Sequence, residues 1–354
     1  MCTGFRFRVN KMNEITYEES RKLENPLYID VRSPAEYAED HIPGAINLPI
    51  FDNEERREIG TLYKMVSRED AVKRGTEIGG KRIGAIIDSI MNYRGRVIVI
   101  YCARGGMRSG SVASLVNSLG IKTWRIRDGY RSYRSFVTGF LETVDIKPQV
   151  FVLQGLTGAG KTEILEFIEN SIDLEAMAGH RSSLFGAIGL EQNSQKSFET
   201  RLVTRLCELN DSGYAVIEGE SKKIGNLHIP ENIFSQMRSA PVIYIDTPIE
   251  RRVEIIKNEY ARFNDHERIL GIVFSLTKKL GQKKTDELAE LYKTGRIDEF
   301  IEMLLVEYYD CLYRYTLDRF EYIAVIKNSN SESAAAEVIA AVREYMKSRS
   351  GRNL

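Results

Sequence analysis

Short, unbroken apolar runs alternate with amphipathic stretches over the first 250 residues. The runs LYIDV (27–31), RVIVIYC (96–102) and KTWRI (122–126) read as strands. Between them, Pro34–Glu39 is a short acidic amphipathic segment, and Ser109–Leu119 has helical spacing stopped by Gly120. Continuous apolar strands separated by helices predict a parallel sheet covered on both faces. A second series starts at Gln149 with VFVL and continues through YAVIEGE (214–220) and PVIYID (241–246). Pro148 discourages a helix from running into that strand, so residues 141–149 read as a linker. From about residue 261 the pattern becomes that of long helices. There Phe300, Leu304, Tyr308, Cys311, Leu312 and Tyr315 share one stripe, which reads as packing, with Cys311 a core thiol. The chain is therefore α/β. One unit covers 1–140 and a second 150–260, with a helical C-terminal region, 261–354, packed on the second.

Composition narrows this picture. A chain of 354 residues with 43% hydrophobic positions holds two to three domains and can bury a core without staples. The balance of 50 basic against 50 acidic residues excludes a generally basic, nucleic-acid-coating protein. The charge is unevenly placed, however. Residues 1–148 carry 24 basic and 19 acidic side chains, a net of +5, which leaves −5 for the remainder. Within 94–134 nine basic residues face a single acid, Asp128, so a local polyanion site is allowed. Cys2, Cys102, Cys207 and Cys311 lie far apart with no C-x-x-C pair, which gives neither a disulfide framework nor a structural metal site. Apolar stretches such as Val97–Ala103 are far shorter than the roughly 18–20 residues that span a bilayer. The N-terminal MCTGFRFRVNK has no apolar signal core. A reduced, cytoplasmic protein away from membranes is expected, with disorder confined to residues 348–354.

Two segments carry chemistry. In V-I-V-I-Y-C-A-R-G-G-M-R-S, Cys102 leaves a buried strand and enters a loop containing Gly105 and Gly106, after which Ser109 can cap a helix. Glycines let amides turn inward as an anion nest, and Arg104 and Arg108 add charge; all favour a thiolate at Cys102. The bland alternative is a small core residue ending a strand. The second segment, Gly155-Leu-Thr-Gly158-Ala-Gly160-Lys161-Thr162, fits G-x-x-x-x-G-K-S/T between a predicted strand and a predicted helix. In that context backbone amides wrap phosphates, Lys161 meets their charge and Thr162 can hold Mg²⁺. The strand AVIEGE ends in Glu218 and Glu220, candidate acidic partners of Mg²⁺. Arg251 and Arg252, in D-T-P-I-E-R-R, are either phosphate-facing or plain surface charges.

The stretch Y-I-D-V-R-S-P-A-E-Y-A-E-D-H-I-P-G-A-I-N-L-P, with the Cys102 loop, resembles the rhodanese family. His41 in that block reads as a structural turn residue. Five residues separate Cys102 from Arg108, one more than is usual in single-domain sulfurtransferases, so loop length alone does not separate chalcogen transfer from phosphate-ester hydrolysis. A rhodanese module followed directly by a P-loop module is similar to the bacterial-type tRNA 2-selenouridine synthase family. Several further segments agree, among them E-E-R-R-E-I-G-T-L-Y-K (54–64), D-G-Y-R-S-Y-R (128–134), G-H-R-S-S-L-F-G (179–186) and E-Y-Y-D-C-L-Y (307–313). This chain departs from the family pattern at Gly219, where an acidic residue is usual.

The resemblance implies a rhodanese-like parallel-sheet domain, then a P-loop NTPase-like α/β domain with a helical C-terminal part. It also implies a transferase that converts tRNA 2-thiouridine to 2-selenouridine through S-geranyl-2-thiouridine, using geranyl diphosphate and selenophosphate. Cys102 would carry selenium as a perselenide, in an anion cradle of Arg104, Gly105, Gly106 and Arg108. No tightly bound cofactor is expected beyond Mg²⁺. For tRNA the candidates are Arg125, Arg127, Arg131 and Arg134, with Tyr130 and Tyr133 free to stack on bases. Two other readings stay open: a sulfurtransferase fused to a small-molecule P-loop kinase, and a nucleotide-gated sulfur-relay scaffold.

Overall fold

The computed structural model describes residues 13–260 and 265–350; Cys2 and residues 351–354 of the expected flexible tail lie outside them. Residues 348–350, also expected to be disordered, end the helix Ser331–Ser350. The chain divides between Phe140 and Leu141 into two compact units.

The first unit is built on β1 (Asn13–Ile15), β2 (Pro26–Asp30), β3 (Ile46–Asn47), β4 (Val97–Tyr101) and β5 (Thr123–Ile126). They form one parallel sheet in the order β1-β5-β4-β2-β3. The central position of β4 explains its composition: a strand paired on both edges and covered on both faces has no use for a polar side chain. Ile98 and Ile100 pack with Leu27 and Ile29 of β2 and with Val112 and Val116 of the helix Met107–Ser118. That helix starts earlier than the sequence suggested. Its N-cap is Gly106, and Ser109 lies inside its first turn.

The second unit begins with β6 (Gln149–Gly155), preceded by the helix Tyr130–Thr143, so the expected linker 141–149 shrinks to residues 144–148. Its further strands are β7 (Ser171–Ile172), β8 (Tyr214–Glu218), β9 (Lys223–Ile224), β10 (Leu227–His228), β11 (Val242–Asp246) and β12 (Tyr322–Lys327). Five of them make a parallel sheet in the order β12-β11-β6-β8-β7, while β9 and β10 form a small antiparallel pair. The strand carrying the glycine-rich loop is thus central.

Strand β12 corrects the expectation of a purely helical region from 261 onward. It is a partly exposed edge strand, and a short apolar run behind a long helical stretch cannot be told from helix by period alone. The helices between 265 and 320 are therefore an insertion between two neighbouring strands. They have their own core, in which Val273, Leu288, Phe300 and Leu305 are buried. After β12 the helix Ser331–Ser350 returns, with Ala334, Ala335, Val338 and Val342 packed in the core formed by Phe151, Leu153 and Ile164.

The aromatic stripe is also altered. Phe300, Leu304 and Tyr308 are buried, but Cys311 is exposed, as are Leu312 and Tyr315. Between Ile297–Leu304 and Asp310–Leu317 the helix widens to a π turn over Leu305–Tyr309. A π turn shifts the 3.6-residue register, so Asp310 now faces inward where the stripe would have put Cys311. Cys311 is accordingly no core thiol.

The inward Asp310 meets the guanidinium of Arg252, bonded through both terminal nitrogens at 2.6 and 3.0 Å. Removing one partner of such a buried pair strands the other charge. Asp310→Ala should cost about 3–5 kcal/mol in urea unfolding, and Arg252→Met combined with Asp310→Leu should recover most of it. By the same measurement Cys311→Ser should stay within about 0.5 kcal/mol of the parent.

Candidate active sites

In the first unit the thiol of Cys102 is buried at 3% exposure and lies 3.2 Å from the Ser109 hydroxyl. The segment 128–134 closes over its loop. Tyr130 N–H donates to the Cys102 carbonyl (2.8 Å) and Arg131 N–H to that of Ala103 (3.1 Å). This approach requires Gly129 with φ +57°, because a Cβ there would lie 2.0 Å from the Cys102 carbonyl oxygen. Behind the loop, Arg32 pairs with Asp30 at 2.6 Å, donates to the Asp40 carbonyl and sits 3.8 Å from the Tyr130 ring centre.

Several predicted roles change here. Tyr130 is buried and donates its hydroxyl to Asp40 (2.7 Å); burial and that acceptor push its pKa up. Tyr133 is buried against Tyr17 in an edge-on contact. Neither ring is free to stack on a base, since both serve to hold the segment over the Cys102 loop. Arg125 is paired with Glu14, and Arg134 lies 3.5 Å from Asp40. Arg127 is exposed and lies 3.9 Å from the same Glu14, and Arg131 is exposed.

The cradle is revised as well. Arg108 is paired with Glu36 at 2.8 Å, and Arg56 reaches the same carboxylate at 3.3 Å. Burial opposes ionisation of Glu36, but Arg108 and Arg56 outweigh it and hold its pKa down at about 2. The charge of Arg108 is thus compensated, and the exposed Arg104 is the cradle's free cation among the described residues. Gly105 and Gly106 do lie in the loop, and no side chain caps the helix amides that follow. Glu36 went unnoticed as a site residue because its sequence signal is a capping box with Ser33, which it also satisfies. His41 behaves as expected, stacked on Tyr37 and bonded to its carbonyl.

In the second unit the loop from Gly155 to Thr162 runs from β6 into the helix Lys161–Glu166. Its carbonyls are held from outside. Thr247 and Asn328 both donate to that of Ala159 (2.8 and 2.9 Å), and Arg252 Nε donates to that of Thr157 (2.9 Å). Gly160 has φ +77°, and a Cβ there would lie 2.7 Å from the Asn328 amide. With the carbonyls tied back, the loop's amides and Gly158 are left for an anion. Arg252 is therefore neither a phosphate ligand nor a surface charge. Arg251 pairs with Glu163 and Glu254.

Lys161 lies 3.9 Å from Glu218. Burial works against its charge, but Glu218, Glu220 and Glu175 outweigh it and keep the ammonium well protonated. The carboxylates of Glu175, Glu218 and Glu220 lie within 4.8 Å of one another, and one oxygen of the buried Glu218 has no hydrogen-bond partner. Burial raises all three pKa values, aided at Glu218 by Glu175 and Glu220 and at Glu175 by Glu220, which brings Glu175 to about 7. Crowded carboxylates with an unsatisfied oxygen fit a divalent cation such as Mg²⁺. Glu175 has no motif of its own and is brought in by the helix Leu174–Ala178 after β7. At Gly219 a Cβ would come within 2.5 Å of the Gln154 side chain, so this backbone has no room for a further acid.

These residues line one wall of a cavity of about 1410 Å³. The helical insertion supplies a contrasting wall, including Ile269, Leu270, Phe300, Leu304 and Leu305. The site is thus a glycine-rich loop with a lysine and three carboxylates, opening onto apolar surface.

Residues 148–348 match the family model described as the tRNA 2-selenouridine synthase AAA domain, and residues 16–136 match the rhodanese-like domain. The chain is 32% identical to the tRNA 2-selenouridine synthase of Pseudomonas syringae pv. syringae, over 81% of this chain and 87% of that protein. It is 32% identical to that of Chromohalobacter salexigens, over 87% and 92%, and 30% identical to that of Nitrosomonas europaea, over 92% and 95%.

The raised pKa of Glu175 has a measurable consequence. The folded protein holds this proton from its ordinary value of 4.5 up to about 7, whereas the unfolded chain releases it near 4.5. Metal-free protein should therefore lose stability as pH rises through that window. Glu175→Gln keeps the acceptor oxygen but removes the titration, so it should flatten the profile. Urea unfolding at several pH values with a chelator present checks this; an unchanged slope would mean that Glu175 is ionised in the fold.

Proposed function

The chain belongs to the tRNA 2-selenouridine synthase family and is an enzyme of tRNA modification; we propose that its two sites divide that modification into prenyl transfer and selenium delivery. The observation that carries this reading is the cavity of the second unit, where a diphosphate-sized cradle meets an apolar wall. Pockets for drug-sized ligands span about 300–1,000 Å³. This one has room for a prenyl diphosphate together with a nucleobase. The apolar insertion favours a prenyl tail over the base of a nucleotide, and so speaks against the fused-kinase reading.

In the first step the sulfur of tRNA 2-thiouridine attacks C1 of geranyl diphosphate. The new C–S bond forms as the C–O bond breaks, diphosphate leaves with the electron pair, and the base gives up its N3 proton to solvent, so that S-geranyl-2-thiouridine is neutral. Lys161 and the amides around Gly158 and Gly160 meet that developing charge, already oriented and shielded from bulk water. Thr162, Glu175, Glu218 and Glu220 are the residues that would hold Mg²⁺, whose chemistry is to offset the charge of the diphosphate. In the second step the Cys102 thiolate attacks the selenium of selenophosphate, the P–Se bond breaks and phosphite leaves with its electron pair, so that selenium is held as a perselenide. Its terminal selenium then attacks C2 of the geranylated base, geranylthiolate leaves, and a low-molecular-weight thiol supplied as reductant cleaves the S–Se bond to release 2-selenouridine. The amides at Gly105 and Gly106, with Arg104, would receive the selenophosphate anion, while Arg108 and Glu36 hold the loop in shape. Exposed Arg131 is the member of the predicted basic patch left for RNA phosphates, with Arg127, 3.9 Å from Glu14, beside it in the chain.

Nucleosides from tRNA incubated with enzyme, geranyl diphosphate and selenophosphate, read by mass spectrometry, test both halves. Lys161→Ala should depress geranylation by about 100-fold or more. If it geranylates at the parental rate, the diphosphate binds elsewhere. Cys102→Ser should accumulate S-geranyl-2-thiouridine and form almost no 2-selenouridine, while Cys207→Ser and Cys311→Ser behave like the parent. Normal selenouridine from Cys102→Ser would remove the thiol from the reaction.

A further inference from the structure

We propose that the first unit carries a second RNA contact, at the end of its sheet opposite Cys102, where a basic pocket takes backbone phosphates and Trp124 stacks on a base. The proposal rests on the reading of tRNA as substrate. It concerns residues to which neither the P-loop cavity nor the Cys102 loop gives a role.

The pocket has a volume of about 640 Å³ and is lined by Arg94, Arg96, Lys122, Leu119 and Trp124 among others. It lies where β4 and β5 begin, since Arg96 directly precedes Val97 and Lys122 directly precedes Thr123. Cys102 follows the other end of β4. At roughly 3.3 Å per residue the two places are about 17 Å apart, too far for one small anion to span.

The charges here differ in kind from those of the predicted patch. Arg125 and Arg134 have carboxylate partners, whereas among the described residues no carboxylate lines this pocket. Glu24, next to Leu23 in the chain, is not part of the lining. Arg96 is steadied by neutral oxygens, its guanidinium donating to the Asn25 side chain at 2.9 Å, so its position is set while its charge stays uncompensated. Arg94 and Lys122 are exposed. The Lys122 ammonium lies 5.5 Å from the ring centre of the half-buried Trp124. Uncompensated cations beside an accessible indole suit a ligand with closely spaced negative charge and flat rings, and single-stranded or looped RNA supplies both. Because residues 94–134 carry nine basic side chains against one acid, an RNA chain would meet this pocket within a favourable field.

Trp124 is the chain's single tryptophan, so emission excited on the red edge of the absorption band, beyond the tyrosines, reports on this pocket alone. Unmodified tRNA titrated into the full-length protein should quench that emission with the midpoint seen for binding of fluorescently labelled tRNA. Arg94→Glu with Lys122→Glu should weaken labelled-tRNA binding by about tenfold or more, and should reduce the slope of log K against log salt by about 2. Both positions are exposed, and an unchanged circular dichroism melt will show that the variant folds. Equal tRNA affinity for parent and variant, with Trp124 emission unmoved, would overturn this proposal and leave tRNA as the substrate. No binding of labelled tRNA by either protein would overturn the substrate reading as well. Quenching by inorganic phosphate at the same low concentrations, with tRNA silent, would make this a small-anion pocket and also refute the RNA contact.

Discussion

The second unit depends on one buried guanidinium. Arg252 donates to the carbonyl of Thr157 in the phosphate loop and to both oxygens of Asp310 in the helical insertion. Three stretches that are far apart in the chain are thereby locked to one point in low dielectric. Leaving any of these groups unpaired would cost far more than the net gain from pairing them, and that asymmetry makes the geometry specific. The wall that would face a prenyl tail and the loop that would hold its diphosphate are thus held at a set separation. The π turn serves the same end, because it turns Asp310 inward.

A similar solution recurs in the first unit. The Asp30–Arg32 pair, the Tyr130 hydroxyl on Asp40 and the Tyr130 amide on the Cys102 carbonyl hold the cysteine loop from behind. In front, Glu36 joins Arg108 to the start of the helix Pro34–Glu39. In both units most of the arginines close to the chemistry act as braces. The charge left for ligands comes from backbone amides, one lysine and a few exposed cations. Amides in a braced loop need not reorganise when charge develops, which is the condition for electrostatic catalysis.

Local signals in the sequence suffice where one short segment satisfies them by itself. The strand–loop–helix of the phosphate cradle, the cysteine at the end of β4, the buried central strands and the helix at Pro34–Glu39 each follow from residues within a few positions of one another. Where a charge or an aromatic ring changes role in the fold, a distant partner is the cause. Tyr130 and Tyr133 look like stacking residues beside arginines until Tyr17, Arg32 and Asp40 are folded against them. Arg108 looks like free charge until Glu36 arrives from another helix. The stripe through Cys311 is periodic in sequence, but the π turn breaks that period to satisfy Arg252.

By itself, then, the sequence determined the two α/β units, the order of their modules and the local settings of Cys102, at the end of a central strand, and of Lys161, at the start of the helix after the glycine-rich loop, because backbone conformation and short-range spacing suffice for these. Tertiary structure decided which charges remain free. It brought Glu175 to Glu218 and Glu220, placed β12 at the edge of the sheet and turned the helices before it into a cavity wall. It also paired Arg125 and Arg134 of the basic patch with carboxylates and, among the described residues, left the cations around Trp124 without any. The reason is physical: burial and ion pairing are properties of a neighbourhood, and that neighbourhood is assembled from residues tens to hundreds of positions apart.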